Sequence, residues 1–309
     1  MEISREVVRR ELRVYMTRTG IDLGRLAMAT GFAHRSLIQF VSGARYGDGD
    51  GAPTAAALAD YMSAHPWEPP ELPGRLYETA ATREMDEMYA YCRKGRWGTL
   101  YGPAGGQKSF WGQYRAAEEA RQSEPGLIWI PIPGRMTPAA ILRRIAAAVG
   151  ASFAQGSDTL RLNIIDAIRA RSTVLVLMLD EMDLMEKDID TLEVIRRLGD
   201  FLRGKLGLLV AGNEQIIDLF KPRQGRYFEQ WRSRIEQKEL RVLGPTRDEG
   251  RKMVNTELPG SAESKVDGLL DYGTVTDPIS RKKYISARRL FFAIDNIRDL
   301  RESRKTHAA

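Results

Sequence analysis

The sequence predicts an α/β protein built on a parallel β-sheet with helices on both faces and a helical segment before and after it. Between residues 96 and 243, short apolar runs with strand character alternate with segments of helical spacing, as parallel strands joined by helical crossovers require. A glycine-rich turn follows the first run, and two acidic residues follow a later one that is wholly apolar. In open sheets of this kind ligands bind at the carboxyl ends of the strands, so we expect the functional site there.

The composition fits a globular protein with more than one domain. The 309 residues are 43% hydrophobic and 28% charged, and the longest apolar run, residues 174–179, has the length of a strand and not of a membrane span. The first residues lack the apolar core of a signal peptide, and a single cysteine, Cys92, suits a reducing compartment. We therefore expect a cytoplasmic protein with no membrane partner.

Residues 1–65 are expected to form a small helical domain. Apolar residues recur at helical spacing in consecutive short segments, two of which are separated by a tight turn at residues 31–33. This pattern predicts a helix-turn-helix whose second helix buries Leu37, Ile38 and Val41 and presents polar side chains to the major groove of DNA. A small helical bundle that contacts protein would have the same pattern. The candidate DNA-contacting residues are His34, Arg35, Ser36 and Gln39.

A proline-rich linker separates this helical domain from the sheet. Four prolines fall within residues 65–74, a density that excludes a continuous helix and favours extended backbone. Residues 79–94 then have helical spacing and lead into the first strand. We assign residues 66–95 to the linker and this connecting helix, residues 96–243 to the sheet domain and residues 244–309 to a C-terminal helical segment.

The glycine-rich turn, between the strand expected at residues 96–101 and a helical segment, has the composition of a phosphate-binding P-loop. Its backbone N–H groups would converge at a helix N-terminus, with Lys108 placed to reach the β- and γ-phosphates and Ser109 to bind Mg²⁺. Gln107 stands where the pattern has a final glycine, and it restricts the backbone there. A plain turn with a surface lysine is the alternative. The candidate nucleotide-binding residues are Gly102, Pro103, Ala104, Gly105, Gly106, Gln107, Lys108, Ser109 and Phe110.

Two acidic residues end the most apolar run of the chain. Residues 174–179 are expected to form a strand buried on both faces, and Asp180 and Glu181 follow it directly. This is the Walker B arrangement, in which Asp180 would hold the hydration shell of Mg²⁺ and Glu181 would polarise the attacking water. Taken alone, the feature also fits solvated carboxylates in a loop. Amphipathic segments at residues 137–149 and 159–171 are expected to be flanking helices.

Three further runs are expected to be strands. Residues 127–132 contain Pro131, which places the end of that strand at an edge or a bend. Residues 206–212 end at Asn213, and residues 238–243 close the sheet. The sheet is therefore expected to have five parallel strands.

The motifs and their order resemble those of AAA+ ATPases of the additional-strand class. With the helix-turn-helix ahead of them and a short helical segment behind, the whole chain resembles the phage Mu transposition protein B family, the target-selection ATPases of transposable elements. The resemblance implies an AAA+ P-loop ATPase fold in which the C-terminal segment is a small helical lid over the nucleotide. It also implies that Asn213 acts as sensor 1 and orients the hydrolytic water.

The resemblance further implies two arginines at the nucleotide. A Ser-Arg-Ile run matches the motif whose arginine reaches the nucleotide of a neighbouring subunit. This favours Arg234 as the arginine finger, with Arg232 and Arg226 as alternatives. At the start of the last helix, Arg289 matches the sensor 2 arginine that contacts the γ-phosphate, with Arg288 as the alternative.

Members of that family bind ATP with Mg²⁺, assemble on double-stranded DNA as helical filaments or rings, and pass the DNA to a transposase. The resemblance implies the same cofactors and partners here, with this chain forming the homo-oligomer. The loop after the second strand is expected to contact DNA phosphates without regard to sequence, through Arg135, Thr137, Arg143 and Arg144. The basic residues of segment 281–309 fit a polyanion partner and equally an ordinary solvated helix face.

Two other functions fit the same motifs. A helicase loader or replication initiator shares the ATPase core and would use the helix-turn-helix to recognise an origin. A nucleotide-gated DNA-binding switch with little hydrolysis is suggested by Gln107. A preference for one DNA sequence would favour the initiator, and tight ATP binding without turnover would favour the switch.

Overall fold

A five-stranded parallel sheet forms the centre of the computed structural model, which describes residues 4–19, 21, 23–43, 52–122, 124–151, 156–185, 188–219, 231, 233–234 and 238–307. Its strands are β1 (Trp97–Tyr101), β2 (Leu127–Pro131), β3 (Leu175–Asp180), β4 (Leu206–Ala211) and β5 (Glu239–Arg241). Their order in the sheet is β2-β3-β4-β1-β5 and every pairing is parallel. The predicted sheet is thus confirmed, and β2, which ends in Pro131, is an edge strand.

Among the described residues, four helices precede the linker and share a core of their own. They are α1 (Arg5–Thr19), α2 (Leu23–Thr30), α3 (His34–Ser42) and α4 (Ala52–Ala64). The side chains packed between them include Leu12, Leu26, Leu37, Phe40 and Leu58. Within the described ranges, none of the helices combines the length and apolarity needed to cross a bilayer.

The buried face of α3 differs from the predicted one. Leu37 and Phe40 are buried, whereas Ile38, predicted to pack inward, is 45% exposed. Residues three apart lie on the same side of a helix and consecutive residues lie about 100° apart, so burying Leu37 with Phe40 turns Ile38 outward. His34 and Arg35 are exposed, and Ser36 and Gln39 are half-buried.

Helices cover both faces of the sheet. One layer contains α5 (Ala80–Cys92) and α6 (Lys108–Glu119), and the other contains α7 (Pro138–Val149), α8 (Ser157–Arg169) and α9 (Ile189–Phe201). Side chains of β3 alternate between the two layers, with Leu177 and Leu179 facing α7 to α9 and Val176 and Met178 facing α5 and α6. This double burial explains why the strand is apolar throughout. A short 3₁₀ helix (Met182–Met185) follows β3, and α10 (Gln215–Leu219) follows β4.

The C-terminal lid contains a β-hairpin as well as helices. Its helices are α11 (Arg247–Glu257), α12 (Glu263–Gly273) and α13 (Ala287–His307), and an antiparallel pair, β6 (Thr274–Thr276) and β7 (Lys283–Ile285), lies between the last two. The C-terminal segment was predicted to be helical, and this prediction was wrong for residues 274–276 and 283–285. Threonine and valine favour strands over helices. The buried Asp277 carboxylate closes the turn by accepting the backbone N–H of Ser280 at 2.6 Å.

The linker packs against the lid, and its last residue caps α5. Residues 66–79 have no regular secondary structure, and the Thr79 side chain caps α5 by accepting the backbone N–H of Thr82 at 3.1 Å. The hydroxyl of Tyr77 donates to Glu257 of α11, and its ring centre lies 5.9 Å from that of Phe291 in α13. The linker is therefore packed against the lid.

Candidate nucleotide-binding site

The turn between β1 and α6 has a glycine-dependent backbone. Gly102 and Gly105 have φ of 134° and 89°, and a Cβ at Gly102 would lie 2.3 Å from the carbonyl oxygen of Val242. Gln107 takes the left-handed conformation, with φ 68° and ψ 5°, directly before α6. The backbone at Gln107 therefore has the conformation for which glycine is usually required.

Lys108 begins α6 and lies buried beneath this turn. Its ammonium donates to the carbonyl oxygens of Gly102, at 2.8 Å, and Pro103, at 3.1 Å. Burial lowers the pKa of Lys108 to about 8, although the nearby carboxylate of Asp180 favours the charged form. A phosphate bound beside this lysine would favour its charged form further.

Asp180 and Glu181 lie at the carboxyl end of β3, beside the turn. The buried Asp180 carboxylate accepts the Trp129 indole N–H at 3.1 Å and the Glu181 backbone N–H at 3.0 Å. Glu181 is exposed and has a φ of 59°, a backbone conformation that clusters at functional sites. Both acids line the same cleft as Lys108 and Ser109.

The oxygen donors in this cleft suit Mg²⁺. Ser109 offers a hydroxyl and Asp180 a carboxylate, and Mg²⁺ is usually bound by one or two carboxylates together with water and substrate phosphates. Across the described part of the chain, no group of three or more His, Cys, Asp or Glu is placed to hold a metal ion. The residues present therefore fit a Mg²⁺ that binds together with a nucleotide.

Asn213, at the end of β4, is held by Asp183 of the 3₁₀ helix. Its amide donates to Oδ2 of Asp183 at 2.7 Å, and its backbone N–H donates to Oδ1 at 3.1 Å. Both residues line the cleft. Sequence analysis assigned no role to Asp183, because the pair is separated by 30 residues and only the neighbouring strands bring it together.

The cleft has a volume of about 880 Å³ and is enclosed by the sheet, the linker and the lid. From the linker it is lined by Pro73, Gly74 and Arg75, and from the lid by Glu257, Ala287, Arg288, Phe291, Asp295 and Arg298. Of these linker and lid residues, only Arg288 was predicted from the sequence to bind the nucleotide, as the alternative to Arg289. The others carry no local motif, and only the tertiary fold places them opposite the P-loop.

The arginine at the start of α13 that faces the cleft is Arg288. Arg289, which the resemblance favoured, is not among the lining residues. Consecutive helical residues lie about 100° apart, so Arg289 is directed elsewhere. Burial has the largest effect on the pKa of Lys108, and the nearby carboxylates come next. The positive charge of Arg288 also lowers this pKa, which agrees with the proximity of the two side chains.

Arg234 lies outside the cleft. Its guanidinium forms an ion pair with Asp200 of α9 at 2.7 Å and lies 5.6 Å from the ring centre of Trp97. The alternatives, Arg226 and Arg232, lie outside the described residues. Within one chain Arg234 is thus held by α9 and β1, so a role for it in nucleotide chemistry would concern the nucleotide of another subunit.

Of the arginines predicted to contact DNA, Arg135 precedes α7, whereas Arg143 and Arg144 lie in the middle of that helix. Arg135, Arg143 and Arg144 are exposed, and Arg144 donates to the carbonyl oxygen of Pro131 at 3.1 Å. Thr137 is the N-cap of α7, its hydroxyl accepting the backbone N–H of Ala140 at 3.3 Å. The predicted DNA contacts thus comprise three exposed arginines and an exposed N-cap threonine.

Comparisons with known proteins agree with this architecture. The family profile described as the AAA domain matches residues 92–220, and a search of curated sequences gave no match. Similar solved structures include Cdc6p from Pyrobaculum aerophilum (TM-score 0.55, 17% identity, 79% of this chain and 65% of that chain). They also include two Aeropyrum pernix proteins, ORC2 in ADPNP–ADP complexes (0.53, 14%, 73% and 62%) and ORC1 in complex with DNA (0.50, 19%, 71% and 59%).

The chain spans 59 to 65% of the length of these three chains. At identities of 14 to 19%, the likeness concerns the fold. It agrees with the five-stranded parallel sheet flanked by helices. Residues 92–220 therefore match the AAA domain, and the sheet with its flanking helices has the AAA+ P-loop ATPase fold.

Proposed function

We propose that this protein binds ATP with Mg²⁺ in the cleft and hydrolyses it. The observation that carries the proposal is the convergence of Lys108, Ser109, Asp180 and Glu181 on one cleft behind a P-loop turn. Lys108 is placed to balance phosphate charge, Ser109 and Asp180 to hold the metal ion, and Glu181 to accept a proton from the attacking water. Bound Mg²⁺ would supply charge stabilisation on the transferred phosphoryl group.

Asn213 is the candidate for orienting that water. Its amide oxygen accepts the backbone N–H of Gln215 at 2.7 Å, while its amide nitrogen donates to Asp183 at 2.7 Å. These two bonds fix the plane of the amide. An amide nitrogen has two hydrogens, so the second is available to a γ-phosphate oxygen or the water.

We further propose that the ATP-bound chain assembles on double-stranded DNA as a homo-oligomer. The exposed arginines around α7 support a contact with the DNA backbone, which is independent of sequence. The α3 residues predicted to contact DNA are a second candidate surface. Arg234 would have to exchange Asp200 for the nucleotide of a neighbouring subunit, which would make hydrolysis depend on assembly.

The order of the segments supports a specific role, the delivery of target DNA to a transposase that the assembled protein activates. A second candidate is a replication initiator or helicase loader. It is favoured by the similarity in fold to ORC1, whose structure was solved in complex with DNA. The third candidate, a switch with little hydrolysis, is favoured by the left-handed Gln107. Coating of DNA without regard to sequence would indicate the transposition role, and binding at specific sites would indicate the initiator. ATP binding without turnover would indicate the switch.

Two substitutions separate binding from hydrolysis. Lys108→Ala removes the phosphate-binding cation and should abolish nucleotide binding. Glu181→Gln should retain nucleotide binding and lower the hydrolysis rate at least 100-fold, because loss of general base catalysis slows a reaction by a factor of roughly 10² to 10⁴. Calorimetry and phosphate release measure the two properties. If both variants bind and hydrolyse ATP as the wild type does, the assignment is wrong.

A further inference from the structure

Trp129 lies on the edge strand β2, next to the end of β3. The two strands pair with Trp129 opposite Met178 and Pro131 opposite Asp180. From this position the indole N–H reaches Oδ2 of Asp180 at 3.1 Å. The other oxygen of that carboxylate, Oδ1, accepts the backbone N–H of Glu181 at 3.0 Å. The carboxylate is therefore held through both of its oxygens.

The indole is itself fixed by its surroundings. On the side of α6 it packs against Gly112, where a Cβ would lie 3.0 Å from Cδ1 of the indole. On its outer side it lines a second cleft of about 410 Å³, to which α1 contributes Arg18 and Thr19. Gly112 thus makes room for the ring between α6 and the N-terminal helices.

We propose that Trp129 is a positioning residue for the Mg²⁺ of the bound nucleotide and acts through Asp180. This inference rests on the proposed function. Asp180 is only 2% exposed, so its carboxylate is oriented by protein donors, and the Trp129 indole is the side-chain donor among them. Donors that orient a metal-binding carboxylate in this way commonly change metal affinity by roughly 10- to 100-fold.

The test uses two matched tryptophan substitutions in the full chain. Trp129→Phe keeps an aromatic ring and removes the donor to Asp180. Trp111→Phe removes the indole donor to a different carboxylate, Asp86, at 2.9 Å, which Arg115 continues to hold through two bonds. Trp111 is buried in α6 and is not among the residues that line the cleft.

Calorimetry measures the affinity for a slowly hydrolysed ATP analogue, once with Mg²⁺ and once with EDTA. We expect Trp129→Phe to weaken binding about 10-fold or more with Mg²⁺ and by less than about twofold with EDTA. Trp111→Phe should change neither value. Equal losses with and without Mg²⁺, or no loss at all, would overturn the inference. If the wild-type chain does not bind the analogue under either condition, the proposed function fails instead.

A measurement on the wild-type chain guards against a folding defect in the variant. The indole ¹H–¹⁵N resonance of Trp129 should shift when Mg²⁺ is added to the complex with the analogue, while that of Trp111 stays in place. A Trp129 resonance that does not respond to Mg²⁺ would contradict the proposed contact with the metal-binding carboxylate.

Discussion

Gln107 keeps a glycine-like backbone at a cost. Its φ of 68° lies in the left-handed region, which costs an L-residue roughly 1–2 kcal/mol. The side chain is 8% exposed, and its Oε1 atom has no hydrogen-bond partner among the described residues. An unpaired buried oxygen adds a further penalty. The neighbouring structure must therefore impose this conformation.

Replacing Gln107 with glycine should be tolerated and should favour nucleotide binding. Gln107→Gly relieves the left-handed strain, and the gain is partly offset by the greater freedom of glycine in the unfolded chain. We expect a free energy of unfolding within about 1 kcal/mol of the wild-type value and a lower Kd for ATP. Gln107→Ala, which keeps the strain, is the control. Weaker ATP binding by the glycine variant would show that the Gln107 side chain assists binding.

The buried Lys108 should make nucleotide binding depend on pH. Its folded-state pKa of about 8 lies below the ordinary lysine value of 10.5. The unfolded chain therefore binds more protons between these two pH values, and the stability contributed by this group rises with pH there. A bound triphosphate favours the charged lysine, so binding takes up a proton above pH 8. The Kd for ATP should therefore rise as pH increases from about 8.

Calorimetry in two buffers of different ionisation enthalpy measures this proton uptake directly. Lys108→Arg is the control, because a guanidinium stays charged over the whole range and should show no pH step whatever its affinity. A wild-type Kd that is constant from pH 7 to 9.5, with no proton uptake, would contradict the assigned lysine pKa.

At the level of the elements, Arg241 in strand β5 connects Glu214, the residue after Asn213, to the lid. Arg241 of β5 donates to Glu214 at 2.6 Å and, through two bonds of 2.7 and 2.9 Å, to Asp277 in the β6–β7 turn. The Arg241 guanidinium holds the pKa of the Asp277 carboxyl well below its usual range. This bridge ties the lid hairpin to the residue that follows Asn213.

Removing the bridge should destabilise the lid. Arg241→Ala leaves the buried carboxylate of Asp277 with its Ser280 donors but without a cation, and the loss should reach at most about 3–5 kcal/mol, the usual cost of breaking a buried ion pair. Since the folded pKa of Asp277 is depressed, the contribution is present at neutral pH and lost as acid protonates the carboxylate. Thermal unfolding at pH 7 and hydrogen exchange of the hairpin measure the effect. Arg247→Ala, which breaks exposed pairs with Asp267 and Asp271, should have little effect, because solvent screens exposed ion pairs; equal losses would contradict the role of the bridge.

The elements also show what the sequence could reveal. Strands β1 to β4 were predictable because each is a short, largely apolar run between turn or helical segments, and β5 because Leu240 and Val242 alternate with charged residues in a longer run, 238–243. The lid hairpin was not, because strands of three residues carry too little periodicity. The sequence could not decide between Arg288 and Arg289, because that choice depends on how α13 is rotated about its axis. It also could not place Arg75 and Arg298 in the wall of the cleft, because segments far apart in the chain pack together there.

At the scale of the whole molecule, Arg234 tests whether subunits complete each other's sites. Arg234→Ala should lower DNA-stimulated hydrolysis by roughly 10³-fold or more, since arginine fingers contribute about that much, without changing the Kd for ATP of the single chain. Asp200→Asn breaks the same intrachain pair but keeps the arginine, so hydrolysis should persist. Similar losses in both variants would indicate that Arg234 acts only through the fold.

If ATP controls assembly on DNA, as we propose, negative-stain electron microscopy should show it. The full chain is mixed with random-sequence duplex DNA and with ATP, a slowly hydrolysed analogue or ADP. We expect continuous filaments or stacked rings on the DNA with ATP or the analogue, and their loss with ADP. Isolated particles at defined sites, or the same appearance with all three nucleotides, would contradict it.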